Sequence, residues 1–99
     1  QFMLADMATE LEAARALHYV AAAKVTAGAP DKSRFSAMAK RLATDSGSKI
    51  VNDALQLFGG YGYLKDYPIE RFWRDLRVHS ILEGTNQVMR IIVGRDLLR

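Results

Sequence analysis

From Leu4 onward, apolar and small residues recur at intervals of three and four: Leu4, Met7, Ala8, Leu11, Ala14, His18, Ala21, Ala22 and Val25. That spacing predicts an amphipathic helix with Asp6, Glu10 and Glu12 off the stripe. Its alanines predict close approach of a second helix. Arg15 borders the stripe, where its aliphatic stem can pack while the charged head reaches outward. His18 lies on the stripe and reads as a hydrogen-bonded core or interface histidine, since no second His or carboxylate stands at metal spacing. Thr26-Ala27-Gly28-Ala29-Pro30 ends the helix with glycine and proline.

Asp31 reads as the N-cap of a second helix. Its face is Phe35, Met38, Ala39, Leu42, Ala43, Ser46, Ile50, Ala54 and Leu57. The middle, Thr44-Asp45-Ser46-Gly47-Ser48, is a poor helix former. The apolar period resumes in phase beyond it, so the helix is carried through to Gly59-Gly60. Small residues there allow another helix or a ligand to come close. Pro68 suits the first turn of a third helix, whose face is Ile69, Phe72, Trp73 and Leu76, with Arg71 and Asp75 as an i, i+4 pair. Thr85 then reads as the N-cap of a last helix over about Asn86 to Leu98, with Val88, Ile91, Ile92 and Arg95 on one face. No strand-like alternation occurs. The expected fold is all-α, an antiparallel bundle of about four helices.

Composition changes this picture little. Ninety-nine residues at 49% hydrophobic content suit one small domain with a compact core. The first residues, Gln1-Phe2-Met3-Leu4, already read as helix and do not begin with Met, so a piece of a longer protein is expected. Net charge is +3, without the dense basic stripe that nucleic acid demands. Arg71, Arg74 and Arg77 align at i, i+3 spacing, as a solvated or inter-domain face or, alternatively, a phosphate contact. The absence of cysteine excludes disulfides, thiolate catalysis and a Cys-based zinc site. No metal site is expected. No apolar run approaches the roughly 20 residues of a membrane span.

Two stretches carry candidate chemistry. In Ile81-Leu82-Glu83-Gly84-Thr85-Asn86-Gln87, a lone carboxylate sits just outside a helix N-terminus, whose dipole favours its ionised form. Such a carboxylate beside apolar residues can be a catalytic base; charge and spacing alone favour an exposed acid. In Gln56-Leu57-Phe58-Gly59-Gly60-Tyr61-Gly62-Tyr63, glycines permit positive φ and close backbone approach. The stretch follows a helix rather than opening one, so it lacks the context of a phosphate-binding loop. By itself it is a helix cap and tight turn, packed by Tyr61, Tyr63 and Tyr67.

Together with Leu4-Ala5-Asp6-Met7-Ala8-Thr9, Tyr67-Pro68-Ile69-Glu70-Arg71 and Arg74-Asp75-Leu76-Arg77-Val78-His79-Ser80, these stretches resemble the C-terminal helical domain of the acyl-CoA dehydrogenase family. The resemblance covers nearly the whole chain. Gly62-Tyr63-Leu64-Lys65-Asp66-Tyr67 and Val88-Met89-Arg90 look similar to its isobutyryl-CoA, short branched-chain branch.

The resemblance implies FAD-dependent α,β-desaturation of an acyl-CoA, with Glu83 as the base and hydride passing to flavin N5. It implies substrate contacts at Gly84 and Arg95, and FAD contacts at Thr85, Asn86 and Gln87. Gln56, Leu57, Phe58, Gly59 and Gly60 match a turn that meets the FAD of a neighbouring subunit, which implies a homo-oligomer, dimer or tetramer. Electron-transfer flavoprotein is the implied acceptor, in bacterial cytoplasm or the mitochondrial matrix. Residues 1–99 would then be the C-terminal domain alone, without the family's middle β-domain and N-terminal domain, and inactive in isolation. The rival readings are an acyl-CoA oxidase-like flavoprotein, a non-enzymatic relative, and a structural or oligomerisation helical module.

Overall fold

The computed structural model describes residues 1–99. Its four α-helices are α1 (Phe2–Ala27), α2 (Lys32–Phe58), α3 (Ile69–Arg77) and α4 (Asn86–Leu97); short 3-10 segments occupy Gly59–Tyr63 and Val78–Ser80, and there is no strand. α2 is the spine on which the others pack. α1 forms a long hairpin with it through Gly28, whose φ of 65° makes the left-handed cap that ends α1.

Cross-links give the direction of the remaining helices. Ser48 Oγ donates to the Leu76 carbonyl at 3.2 Å, and Trp73 Nε1 donates to Asn52 Oδ1 at 3.0 Å. Rising numbers on α2 therefore meet falling numbers on α3. α4 is likewise antiparallel, with Arg90 on Asp45 at 3.4 Å and Arg34 on Asp96 at 3.3 Å. So α3 lies along the second half of α2 and α4 along the first. The pair forms one interrupted layer, and residues 78–85 are the interruption.

The poor helix former at residues 44–48 is helical, as the in-phase apolar period predicts. Its small side chains admit α3: a Cβ added at Gly47 would lie 3.5 Å from Leu76 Cδ1. The buried residues of the hairpin are also small, namely Ala14 and Ala21 on α1 and Ala37, Ala39 and Ser46 on α2. Short side chains let the two backbones approach closely.

Several local expectations are corrected. The α1 face turned inward is Met3, Met7, Glu10, Ala14, Leu17, Ala21 and Lys24, whereas Leu4, Ala8, Leu11, His18, Ala22 and Val25 are exposed. α1 carries apolar residues on two adjoining rows, and α2 covers only one of them. His18 accordingly is no core residue; its ring lies tilted beside that of Tyr19, with centroids 5.8 Å apart. Asp31 occupies the N-cap position without capping. Its carboxylate accepts from Lys24 Nζ at 2.9 Å instead. Arg71 does not pair with Asp75; its guanidinium lies over the Phe72 ring at 5.4 Å. No helix is long and apolar enough to cross a membrane.

Candidate functional site

The interruption between α3 and α4 is a tight, strained turn. The N–H groups of Ile81 and Leu82 both donate to the Val78 carbonyl, at 2.9 and 3.0 Å, closing a short turn after α3. Glu83 then takes φ 55° and Gly84 φ 89°. Glu83 is the one non-glycine residue at positive φ. That conformation costs an L-residue about 1–2 kcal/mol and persists only where the surroundings over-determine it.

The start of α4 holds the turn in place. Thr85 is an N-cap in fact, its hydroxyl accepting from Val88 N at 3.2 Å. Asn86 is only 2% exposed, the most buried side chain of the polar set. Its Nδ2 donates to Thr44 Oγ1 at 2.8 Å and Asp45 Oδ1 at 2.6 Å, and its Oδ1 accepts from Lys40 Nζ at 2.7 Å. Both amide hydrogens and the carbonyl are thus engaged within the chain. Lys40 Nζ also donates to the Gly84 carbonyl at 2.8 Å. Lys40, Thr44 and Asp45 do not stand out in the sequence as site residues. Their only signal is polar spacing at i, i+4 and i+5 within a helix of otherwise apolar phase.

Glu83 itself is exposed and makes no hydrogen bond or ion pair in the chain. Ile81 and Leu82 beside it are 54% and 44% exposed, an apolar rim open to whatever covers it. The main-chain N–H groups of Asn86 and Gln87, in the first turn of α4, have no acceptor in the chain. Asn86 is almost wholly covered, so the N–H of exposed Gln87 is the one open to a flavin or phosphate oxygen from outside the chain. Gln87 is exposed; Arg95, also exposed, lies about 14 Å along α4 from Asn86 by helical rise. Its guanidinium has no partner within the chain.

The glycine turn is elsewhere. Gln56, Leu57, Phe58, Gly59 and Gly60 are all exposed at the C-terminal end of α2. Lys40 fixes the Glu83 turn to the first half of α2, and Gln56 is sixteen residues further on, on the order of 20 Å away. Gly59 has φ 64°, and a Cβ on Gly60 would meet nothing within 4 Å. Bare backbone is therefore presented outward. Phe58 and Tyr61 each lie against Tyr67, with ring centroids 6.1 and 5.6 Å apart, yet all three rings are exposed, as is Tyr63, so the aromatics line the turn without burying it.

Comparison with known proteins places this geometry in context. The family model described as acyl-CoA dehydrogenase, C-terminal domain, matches residues 1–98. Mitochondrial isobutyryl-CoA dehydrogenase of Dictyostelium discoideum is 57% identical over 97 residues, covering 98% of this chain and 23% of that protein. A chain solved in work on the electron transferring flavoprotein of Acidaminococcus fermentans is 54% identical, with TM-score 0.95, over 100% of this chain and 26% of its own. Butyryl-CoA dehydrogenase from Megasphaera elsdenii is 46% identical, with TM-score 0.94, over 99% of this chain and 25% of its own. The chain thus spans about a quarter of the length of the relatives it matches.

Proposed function

The chain belongs to the acyl-CoA dehydrogenase family, as a C-terminal domain, and from that premise we infer that Glu83 is the base with which a complete FAD-dependent dehydrogenase desaturates a short acyl-CoA. The observation that carries this reading is the Glu83 turn: a carboxylate held at positive φ, free of partners and flanked by exposed Ile81 and Leu82. Strain at one non-glycine residue whose side chain has no local partner supports a role outside the fold.

Glu83 removes the α-proton of the thioester: the Cα–H bond breaks, a carboxyl O–H forms, and the Cα–Cβ double bond develops as the β-hydrogen leaves as hydride. FAD, when bound, supplies the two-electron sink at N5 that receives that hydride. A base must be free of competing partners to take that proton, and Ile81 and Leu82 would form an apolar wall beside it once thioester and protein cover them. Gly84 leaves the thioester uncrowded. The free N–H of Gln87 suits an oxygen of the flavin, while the Thr85 hydroxyl, as cap, orders that first turn. Asn86, covered and with its amide engaged with α2, holds the turn beside the flavin in place. Arg95 suits a part of the acyl-CoA remote from the reacting carbons.

Gln56 to Gly60 stand too far from Glu83 to serve the same end of one flavin, which supports their contact with a cofactor held by a second copy. The active enzyme is accordingly a homo-oligomer, with electron-transfer flavoprotein as the acceptor. Residues 1–99 form the helical domain of that enzyme and do not turn over alone. A short acyl substrate fits relatives named for isobutyryl-CoA and butyryl-CoA.

The test is anaerobic. The complete protein, purified, shows flavin absorbance that bleaches on addition of isobutyryl-CoA or butyryl-CoA. Absence of flavin would favour a structural helical module, and flavin that no acyl-CoA bleaches would remove the dehydrogenase reading.

A further inference from the structure

We propose that Lys40 is a positioning residue for Glu83, its ammonium clamping the strained turn to α2 from a distance of more than forty residues in sequence. The inference rests on the reading of Glu83 as base. Lys40 Nζ reaches two acceptors that bracket the N-terminus of α4, the Gly84 carbonyl at 2.8 Å and Asn86 Oδ1 at 2.7 Å. Asn86 is locked in turn by Thr44 and Asp45, one turn further along α2. Thr44 Oγ1 donates back to the Lys40 carbonyl at 2.8 Å. The result is a closed ring of hydrogen bonds between one turn of α2 and the first residues of α4.

The turn needs such a clamp. On its N-terminal side, two hydrogen bonds to the Val78 carbonyl hold Ile81 and Leu82. On its C-terminal side, the Gly84 carbonyl has the Lys40 ammonium as its side-chain partner. Glycine at φ 89° has no intrinsic preference that would keep the peptide in place. Without Lys40 the Glu83-Gly84 pair can relax towards negative φ, which re-aims the carboxylate. A misplacement of about 1 Å at a reacting group costs on the order of 100-fold in rate. Lys40 touches no reacting atom; it acts through Glu83.

The experiment uses the complete enzyme, with Lys40→Met, Lys40→Gln and Lys40→Arg beside Glu83→Gln as control. Single-turnover bleaching is followed with protiated and α-deuterated acyl-CoA, each rate taken per bound flavin. Lys40→Met is expected to slow bleaching roughly 10- to 100-fold, with flavin content and the KM for acyl-CoA within about two-fold of wild type and the α-deuterium isotope effect fully expressed. Lys40→Arg, which retains a charged donor, is expected to recover to within about five-fold of wild type. Wild-type bleaching per flavin in Lys40→Met overturns the proposal. So does a slowing that shows no α-deuterium effect, because a merely structural role changes flavin retention rather than proton transfer. If Lys40→Met yields no folded protein, Lys40→Gln takes its place with the same two criteria. Normal bleaching in Glu83→Gln would instead remove the base assignment beneath the proposal, a failure separable from one confined to Lys40.

Discussion

Single residues carry the sharpest constraints in this domain, and glycines show how unequal neighbouring positions can be. A Cβ placed on Gly62 would sit 2.6 Å from the Leu55 carbonyl and 3.0 Å from Phe58 Cβ, inside the last turn of α2. Gly60, two residues earlier, faces open space. Gly62→Ala is therefore expected to destabilise the protein by about 1–3 kcal/mol through overpacking against backbone. Gly60→Ala should leave the melting temperature nearly unchanged, and thermal denaturation of the two variants side by side checks the contrast. Equal melting temperatures would mean that the turn yields where the geometry says it cannot. Glu83 belongs to the same scale: its strain is borne locally, yet its side chain has no local partner. The residue and its neighbours are legible in the sequence but its backbone conformation is not, because the Lys40 clamp is a contact across more than forty residues.

At the scale of elements, the helices are legible because the apolar period continues through residues that propensity disfavours. The paired faces are less so. α1 offers two adjoining apolar rows, and periodicity alone gives no means of knowing which one α2 covers. Asp31 shows a similar override. It does stand at the cap position, but Lys24 at the end of α1 competes for the carboxylate and wins, joining the hairpin's two helices. The Lys24 hydrogen bond holds Asp31 below its usual 3.8, against the opposing pull of partial burial. The unfolded chain thus takes up this proton at higher pH than the folded one. Stability carried by ionised Asp31 is complete above about pH 4 and is lost as pH falls through the lowered folded value. Asp31→Asn should melt lower than wild type at about pH 7, and the gap between them should shrink below about pH 4. A pH series of melting curves reads this directly; a gap that widens on acidification would refute the assignment.

Across the whole molecule, the 49% hydrophobic content does not produce the compact core that composition suggests. The radius of gyration is 15.6 Å, with extents of 49 × 25 × 23 Å, against about 13 Å for a compact domain of this length. Only five hydrophobic residues are buried, four of them alanine, while Leu4, Leu11, Val25, Leu57 and Ile81 lie at the surface. Exposed apolar rows of this extent favour association. The Glu83 turn, its open Ile81–Leu82 rim and the distant glycine turn are likewise uncovered, which is what the proposed composite site requires of them. The base assignment is tested most directly at Glu83 itself. Glu83→Gln in the complete enzyme keeps the side chain's size and removes its basicity. Stopped-flow absorbance with acyl-CoA under anaerobic conditions should show flavin bound as in wild type and bleaching slowed by roughly 10²–10⁴-fold or more. Bleaching at the wild-type rate would contradict the central claim.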